Sequence, residues 1–268
     1  MSPRVERSES EPSSQKRDRD DFDMAMRESR PPAKRAPTPL PSVTPSQARY
    51  SAVNADVERF VQVVLRGDDE QLRAHIAKLR EDGVGAEAIF LDLLAPAARA
   101  LGEKWSDDSC DFVDVTIALG KLQSTLRELS SLFVSDRPDT SLVGRVLLAC
   151  VPGEQHSFGL FMVAEFFIRD GWGVRVGPPV SEAELLLNLR SEWYDVVGFS
   201  VSCDSRLDHL KREIARVRHA SMNPNVLVMA GGRAFNDQPE LLARIGADAS
   251  AARADLAPIR ARQMLAIS

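Results

Sequence analysis

The sequence lacks the features of secreted, membrane-spanning and zinc-ribbon proteins. It has three cysteines in 268 residues, an odd number without C-x-x-C spacing, which suits a reducing compartment rather than a disulfide framework. No apolar run reaches the ~18 residues of a membrane span, and the charged N-terminus has no apolar signal-peptide core. The net charge of −5 argues against a dedicated nucleic-acid surface. We therefore expect a cytoplasmic protein that contacts no membrane and binds DNA only weakly or through a partner.

Residues 1–45 lack periodic apolar residues. They mix charged residues with serine, and prolines crowd the second half of the segment. Such a segment cannot bury enough apolar surface to offset the entropy lost on ordering. The composition therefore predicts a disordered tail over 1–45.

Residues 46–136 show helical periodicity. Apolar stripes recur at helical spacing, separated by short polar turns, and the clearest stripe is Ile89, Leu93, Ala97, Leu101 and Trp105. Pro96 falls inside that stripe and predicts a kink. A four-helix bundle over 46–136 buries all the stripes together.

Residues 142–268 alternate between short apolar runs and amphipathic stretches. Strands are predicted near 145–151, 173–177, 195–200, 225–230 and 247–250, with helices near 157–170, 182–193, 205–219, 236–245 and 254–266. This rhythm predicts an α/β fold, a flavodoxin-like doubly wound parallel sheet of order 2-1-3-4-5.

A histidine and a carboxylate follow the first predicted strand. The segment Glu154-Gln155-His156-Ser157-Phe158-Gly159 lies at the carboxyl end of that strand, where open parallel sheets bind ligands. Glu154 can accept the proton on one ring nitrogen of His156 and leave the other free for a metal. A phospho-accepting receiver is excluded, because Phe199-Ser200 stands where an acidic residue would end the third strand.

Small residues end two further strands. The third predicted strand ends in Ser200-Val201-Ser202, and the fourth ends in Gly231-Gly232. Small side chains let a long ligand tail pass close to the backbone. In a 2-1-3-4-5 sheet these segments converge with His156 at one edge.

This trio resembles the cobalamin-binding family, whose pattern is D-x-H-x-x-G, then S-x-L or S-x-V, then G-G. The chain has E-x-H-x-x-G, S-x-S and G-G, so Glu154 and Ser202 depart from the pattern. The resemblance implies that His156 ligates cobalt from below, with Glu154 as its partner. It implies a channel for the nucleotide tail along Gly159, Ser200, Ser202, Gly231 and Gly232, and bound hydroxo- or adenosylcobalamin.

The bundle also resembles part of this family. Leu101-Gly102-Glu103-Lys104-Trp105 is similar to the cap motif G-x-x-W, which implies that Trp105 covers the upper face of the cofactor; a tryptophan sealing a helix end is the alternative. Light-sensing repressors of the group place a glutamate and a histidine where Val115 and Thr116 stand here. They also begin with a helix-turn-helix, which residues 1–45 do not resemble.

The proline-rich, charged extension and the Glu154 variant resemble antirepressors of photosynthesis genes in purple bacteria, the AerR/PpaA family. This implies a non-enzymatic, light- or redox-responsive regulator that binds a transcriptional repressor of the CrtJ/PpsR type. No nucleophile and base flank the loops described above. The alternatives are a corrinoid methyl carrier of a methyltransferase system, a heme-binding sensor of the same fold, and a flavodoxin-like interaction module with an empty pocket.

Overall fold

The computed structural model describes residues 54–135, 142–151, 154, 157–177, 181–201, 206–232, 235, 238 and 240–267. The predicted disordered tail, residues 1–45, lies outside these described residues. No helix in the described part of the chain is both long and apolar enough to cross a membrane.

The first part of the described chain is the predicted helical bundle. Its helices are α1 (Asn54–Arg66), α2 (Asp69–Glu81), α3 (Ala86–Ala88), a π-helical turn (Ile89–Leu94), α4 (Ala95–Ser106) and α5 (Phe112–Ser135). Because α3, the π turn and α4 follow one another without a break, they form one long helix. The apolar stripes meet in a common core that includes Phe60, Leu93, Leu101 and Leu122, all fully buried. The bundle prediction is confirmed.

The distortion expected at Pro96 takes the form of the π turn just before it. The amide of Ala95 donates to the carbonyl of Phe90, five residues back rather than four. Proline has no N–H and its ring crowds the preceding turn, so the helix cannot keep regular α bonding through this point. Widening the turn keeps the helix continuous without a sharp break.

The second part contains a parallel sheet of order β2-β1-β3-β4. The strands are β1 (Arg145–Cys150), β2 (Gly173–Val176), β3 (Val196–Ser200) and β4 (Leu227–Gly231). Helices cover both faces of the sheet: α6 (Phe158–Arg169), α7 (Glu182–Ser191), α8 (Leu207–Ala220), α9 (Leu241–Ile245) and α10 (Leu256–Ile267). One apolar core joins the sheet to α7, α8 and α9, and another joins it to α6 and α10. The flavodoxin-like doubly wound order is confirmed for these strands.

The predicted fifth strand, 247–250, is wrong as a strand. It is reduced to one parallel bridge between Met229 and Ala249. The Asp248 side chain explains the interruption, because its carboxylate accepts the amide of Val228 at 2.7 Å and binds the guanidinium of Arg218 at 2.8 Å. A short segment of alanine, aspartate and serine also has low strand propensity.

The bundle is joined to the sheet domain through α6. The Phe166 ring lies 4.9 Å from that of Phe133 and 6.5 Å from that of Phe90, within the bundle core. At the next turn, Arg169 pairs with Glu87 at 2.5 Å and lies 4.5 Å above the Phe133 ring. These contacts hold the bundle against α6, on one face of the sheet.

Candidate cofactor-binding site

The carboxyl ends of three strands are aligned at one edge of the sheet. Cys150 of β1 is in register with Ser200 of β3, which is in register with Gly231 of β4. The alignment continues beyond the strands, since the amide of Val201 donates to the carbonyl of Gly231 at 3.0 Å. The structure therefore brings Ser200 and the glycine pair together, as the sequence predicted.

Gly232 lies where only a glycine fits. Its φ of +130° is in the region that side chains rarely adopt, and an added Cβ would lie 1.9 Å from the carbonyl oxygen of Val201. The chain after β4 therefore passes directly against the chain after β3. This close approach places Gly231-Gly232 beside Ser200.

Glu154 is a buried carboxylate at the same edge. Its side chain is 2% exposed, and its Oε2 lies 3.9 Å from Nε of Arg206, just before α8. Burial, and secondarily the charge of Glu154, raise the pKa of the neighbouring Cys150 thiol to about 11. The edge of the sheet thus holds a buried acidic group, and its role as the partner of His156 stays a prediction.

His156 and Ser202 lie outside the described residues. The roles assigned to them, cobalt ligation and part of the tail channel, therefore stay predictions. Among the residues that the structure describes, no group of three or more His, Cys, Asp or Glu side chains could hold a bare metal ion.

A cavity of about 860 Å³ opens between this edge and the bundle. Its volume lies within the ~300–1,000 Å³ typical of small-molecule sites. The predicted residues Gly159, Ser200, Gly231 and Gly232 line it, with apolar groups of α6 and α10 around them. An added Cβ at Gly159 or Gly231 would meet no atom within 4 Å, so the missing side chains leave open space. The cavity can therefore take a long, partly apolar group along the glycines.

The bundle wall of the cavity was not foreseen from the sequence. It includes Asp92 in the π turn and Arg99 and Glu103 on α4. The sequence carries no distinct signal for this wall, because these charged residues have the helical spacing of an ordinary solvent-facing stripe. The prediction that Trp105 faces the cofactor stays untested: the side chain is 46% exposed, is not among the cavity-lining residues, and lies about 200° around the helix from Glu103.

The comparisons with known proteins agree with this architecture. Residues 57–129 and residues 144–258 each match a family model described as a B12 binding domain. The chain is 30% identical over 173 residues to a protein of Rhodobacter capsulatus called "Uncharacterized 20.5 kDa protein in bchF-crtJ intergenic region", covering 64% of this chain and 88% of that protein. The chain belongs to the cobalamin-binding AerR/PpaA family. Cobalamin is therefore the ligand that the cavity of this AerR/PpaA-like protein has to accommodate.

One solved structure supports the fold. The monomethylamine corrinoid protein of Methanosarcina barkeri has a TM-score of 0.65 and 17% identity, covering 79% of this chain and all of that one. A cobalamin-binding protein from Desulfitobacterium hafniense has 17% identity and a TM-score of 0.42, covering 78% of this chain and 98% of that one. The likeness to the monomethylamine corrinoid protein shows that the AerR/PpaA-like chain shares its fold; an identity of 17% shows the fold alone.

Proposed function

We propose that this protein is a cobalamin-dependent, non-enzymatic regulator that relieves repression of photosynthesis genes by binding a repressor of the CrtJ/PpsR type. The observation that carries the proposal is the 30% identity to a protein encoded between bchF and crtJ, in a chain whose cavity suits cobalamin. In this proposal, cobalamin is the ligand that occupies the cavity, and the repressor does not enter it.

The residues that line the cavity fit the cofactor. Gly159, Gly231 and Gly232 leave open space along the sheet edge, and Ser200 adds a hydroxyl to the same wall. Glu154 is buried where it could fix the tautomer and orientation of His156. Bound hydroxo- or adenosylcobalamin would supply an exchangeable upper ligand and, in the adenosyl form, a cobalt–carbon bond that light breaks.

A regulator needs a ligand that interacts differently with two states of the protein. The cavity supplies a route, because its walls come from both the bundle and the sheet edge. The size of the upper ligand would then set how closely the two walls approach. We expect the light- or redox-dependent change to appear at the bundle, and the repressor to bind the state with the small upper ligand.

The proposal is tested by a mobility-shift assay with purified repressor and a photosynthesis-gene promoter. The full chain is added as apoprotein, loaded with hydroxocobalamin, or loaded with adenosylcobalamin in the dark and after illumination. We expect the hydroxocobalamin-loaded protein to reduce the repressor–DNA complex more than apoprotein does. No shift is expected from the protein alone, because DNA is contacted weakly or through the repressor.

A matched variant controls for the cofactor. His156→Ala should lose most bound corrinoid and its effect on the repressor, while far-ultraviolet circular dichroism stays unchanged. Two outcomes contradict the proposal. One is an unaffected repressor–DNA complex together with methylation of the bound cobalt by a methyltransferase, which favours the methyl carrier. The other is tight binding of hemin but not of cobalamin, which favours the heme sensor.

A further inference from the structure

In the described part of the chain, the bundle wall of the cavity carries charges of both signs that form no hydrogen bond or ion pair with other side chains. Asp92 in the π turn and Arg99 and Glu103 on α4 all line the cavity. Within the described residues, none of these three side chains forms a hydrogen bond or an ion pair. Charged groups at a ligand cavity without protein partners are available to polar groups of the ligand.

The opposite wall offers these side chains one charged group, Arg253, whose guanidinium is near enough to be influenced by the charge of Asp92. It is formed mainly by backbone and small or apolar side chains, including Ala230, Gly231 and Ala257. Its one guanidinium, that of Arg253, is held by Asp255 through contacts of 3.0 and 3.2 Å. Polar groups of a bound ligand therefore meet their strongest partners on the bundle.

The pattern of charge selects a class of ligand group. Carboxylates accept hydrogen bonds only, whereas the Arg99 guanidinium donates only. A ligand edge that satisfies both must carry donors and acceptors in the same neutral group, and a primary carboxamide does so. The corrin ring of cobalamin is rimmed with acetamide and propionamide side chains, whereas the porphyrin of heme carries propionates. On the bundle wall, propionates would be repelled by Asp92 and Glu103 and could pair only with Arg99.

We propose that Asp92, Arg99 and Glu103 recognise the carboxamide rim of the corrin and select cobalamin against heme and against carboxylated corrinoids. The proposal rests on the assignment of this cavity as the cofactor site and adds to it the residues that determine specificity. These groups contact the ring periphery rather than the cobalt, so they act on affinity and not on axial ligation.

The test compares affinities of the full chain for three probes. These are hydroxocobalamin, a cobalamin monocarboxylate in which one propionamide is hydrolysed to propionate, and hemin, each titrated by absorbance. The variant Asp92→Asn/Glu103→Gln removes both negative charges with little change of shape. Glu184→Gln, an exposed carboxylate on α7 that does not line the cavity, is the matched control.

We expect the unaltered protein and the control to bind hydroxocobalamin at least about tenfold more tightly than the monocarboxylate, the scale of one charged hydrogen bond gained or lost. In the double variant that ratio should fall towards one, and hemin should bind more tightly than to the control. Arg99→Met should weaken hydroxocobalamin binding about tenfold, again one charged hydrogen bond. The cobalt absorption bands should stay unchanged in all variants that bind cobalamin.

Two results overturn the proposal, and they are distinguishable. If the double variant keeps the ratio of the unaltered protein, the selectivity is wrong while the cavity and the regulatory proposal stand. If the unaltered protein binds no corrinoid at all, the cofactor site falls and the proposed function falls with it.

Discussion

Replacing Gly232 by alanine should damage the site through the backbone rather than through the ligand. An alanine there must hold a φ near +130°, and its Cβ would lie 1.9 Å from the Val201 carbonyl oxygen. A main-chain oxygen cannot rotate away as a side chain can, so the segments after β3 and β4 must separate. The strained conformation costs about 1–3 kcal/mol, and forcing extra volume into a packed site costs about 1–3 kcal/mol more. We expect Gly232→Ala to lower the free energy of unfolding by about 2–6 kcal/mol.

Urea unfolding followed by circular dichroism measures this loss. With slopes of ~1–3 kcal/mol per molar urea, a loss of about 3 kcal/mol lowers the midpoint by about 1–3 M. Gly231→Ala is the matched control, since its added Cβ meets no protein atom within 4 Å. It should leave the midpoint nearly unchanged and weaken cobalamin binding, because the new methyl group enters the cavity. A midpoint for Gly232→Ala equal to that of the unaltered protein would refute the argument.

Two further predictions concern stability. Phe166→Ala should destabilise the protein by about 3–5 kcal/mol, because the Phe166 side chain is only 5% exposed and lies between the bundle and the sheet. In the same urea assay, Phe112→Ala should change stability by no more than about 0.5 kcal/mol, because the Phe112 side chain is 62% exposed. Equal losses would show that Phe166 does not join the two parts. Burial raises the pKa of the Cys150 thiol from 9.0 to about 11, so between these pH values the folded chain keeps a proton that the unfolded chain has lost. The free energy of unfolding should therefore fall by about 2–3 kcal/mol as pH rises through this window. It should fall less steeply in Cys150→Ala, and equal pH dependence in the variant and the unaltered protein would contradict this prediction.

The strands and the convergence of the site could be predicted because they depend on local patterns. Apolar runs of strand length separated by amphipathic stretches determine a doubly wound sheet almost alone. Once the order 2-1-3-4 is set, the ends of β1, β3 and β4 must meet, which is why Ser200 and Gly231 were placed together correctly.

The errors and omissions arose where side chains override the pattern. The segment 247–250 has the position of a fifth strand, but the carboxylate of Asp248 takes the Val228 amide that a continuing ladder would use. The charged wall of the cavity was missed because Arg99 and Glu103 have the periodicity of an ordinary solvent-facing stripe. Which face of α4 meets the cavity depends on tertiary packing and on the π turn, and neither can be deduced from hydropathy.

The π turn also sets the rotational phase of the bundle wall. A turn of this kind corresponds to one residue inserted into an α-helix, and each residue advances an α-helix by about 100°. If the same residues kept regular α bonding throughout, Arg99 and Glu103 would be turned by about 100° relative to the residues before the π turn. The alignment of these three charges is therefore a property of helix phasing. Restoring regular α bonding without removing a residue would therefore change which side chains of α4 face the cavity.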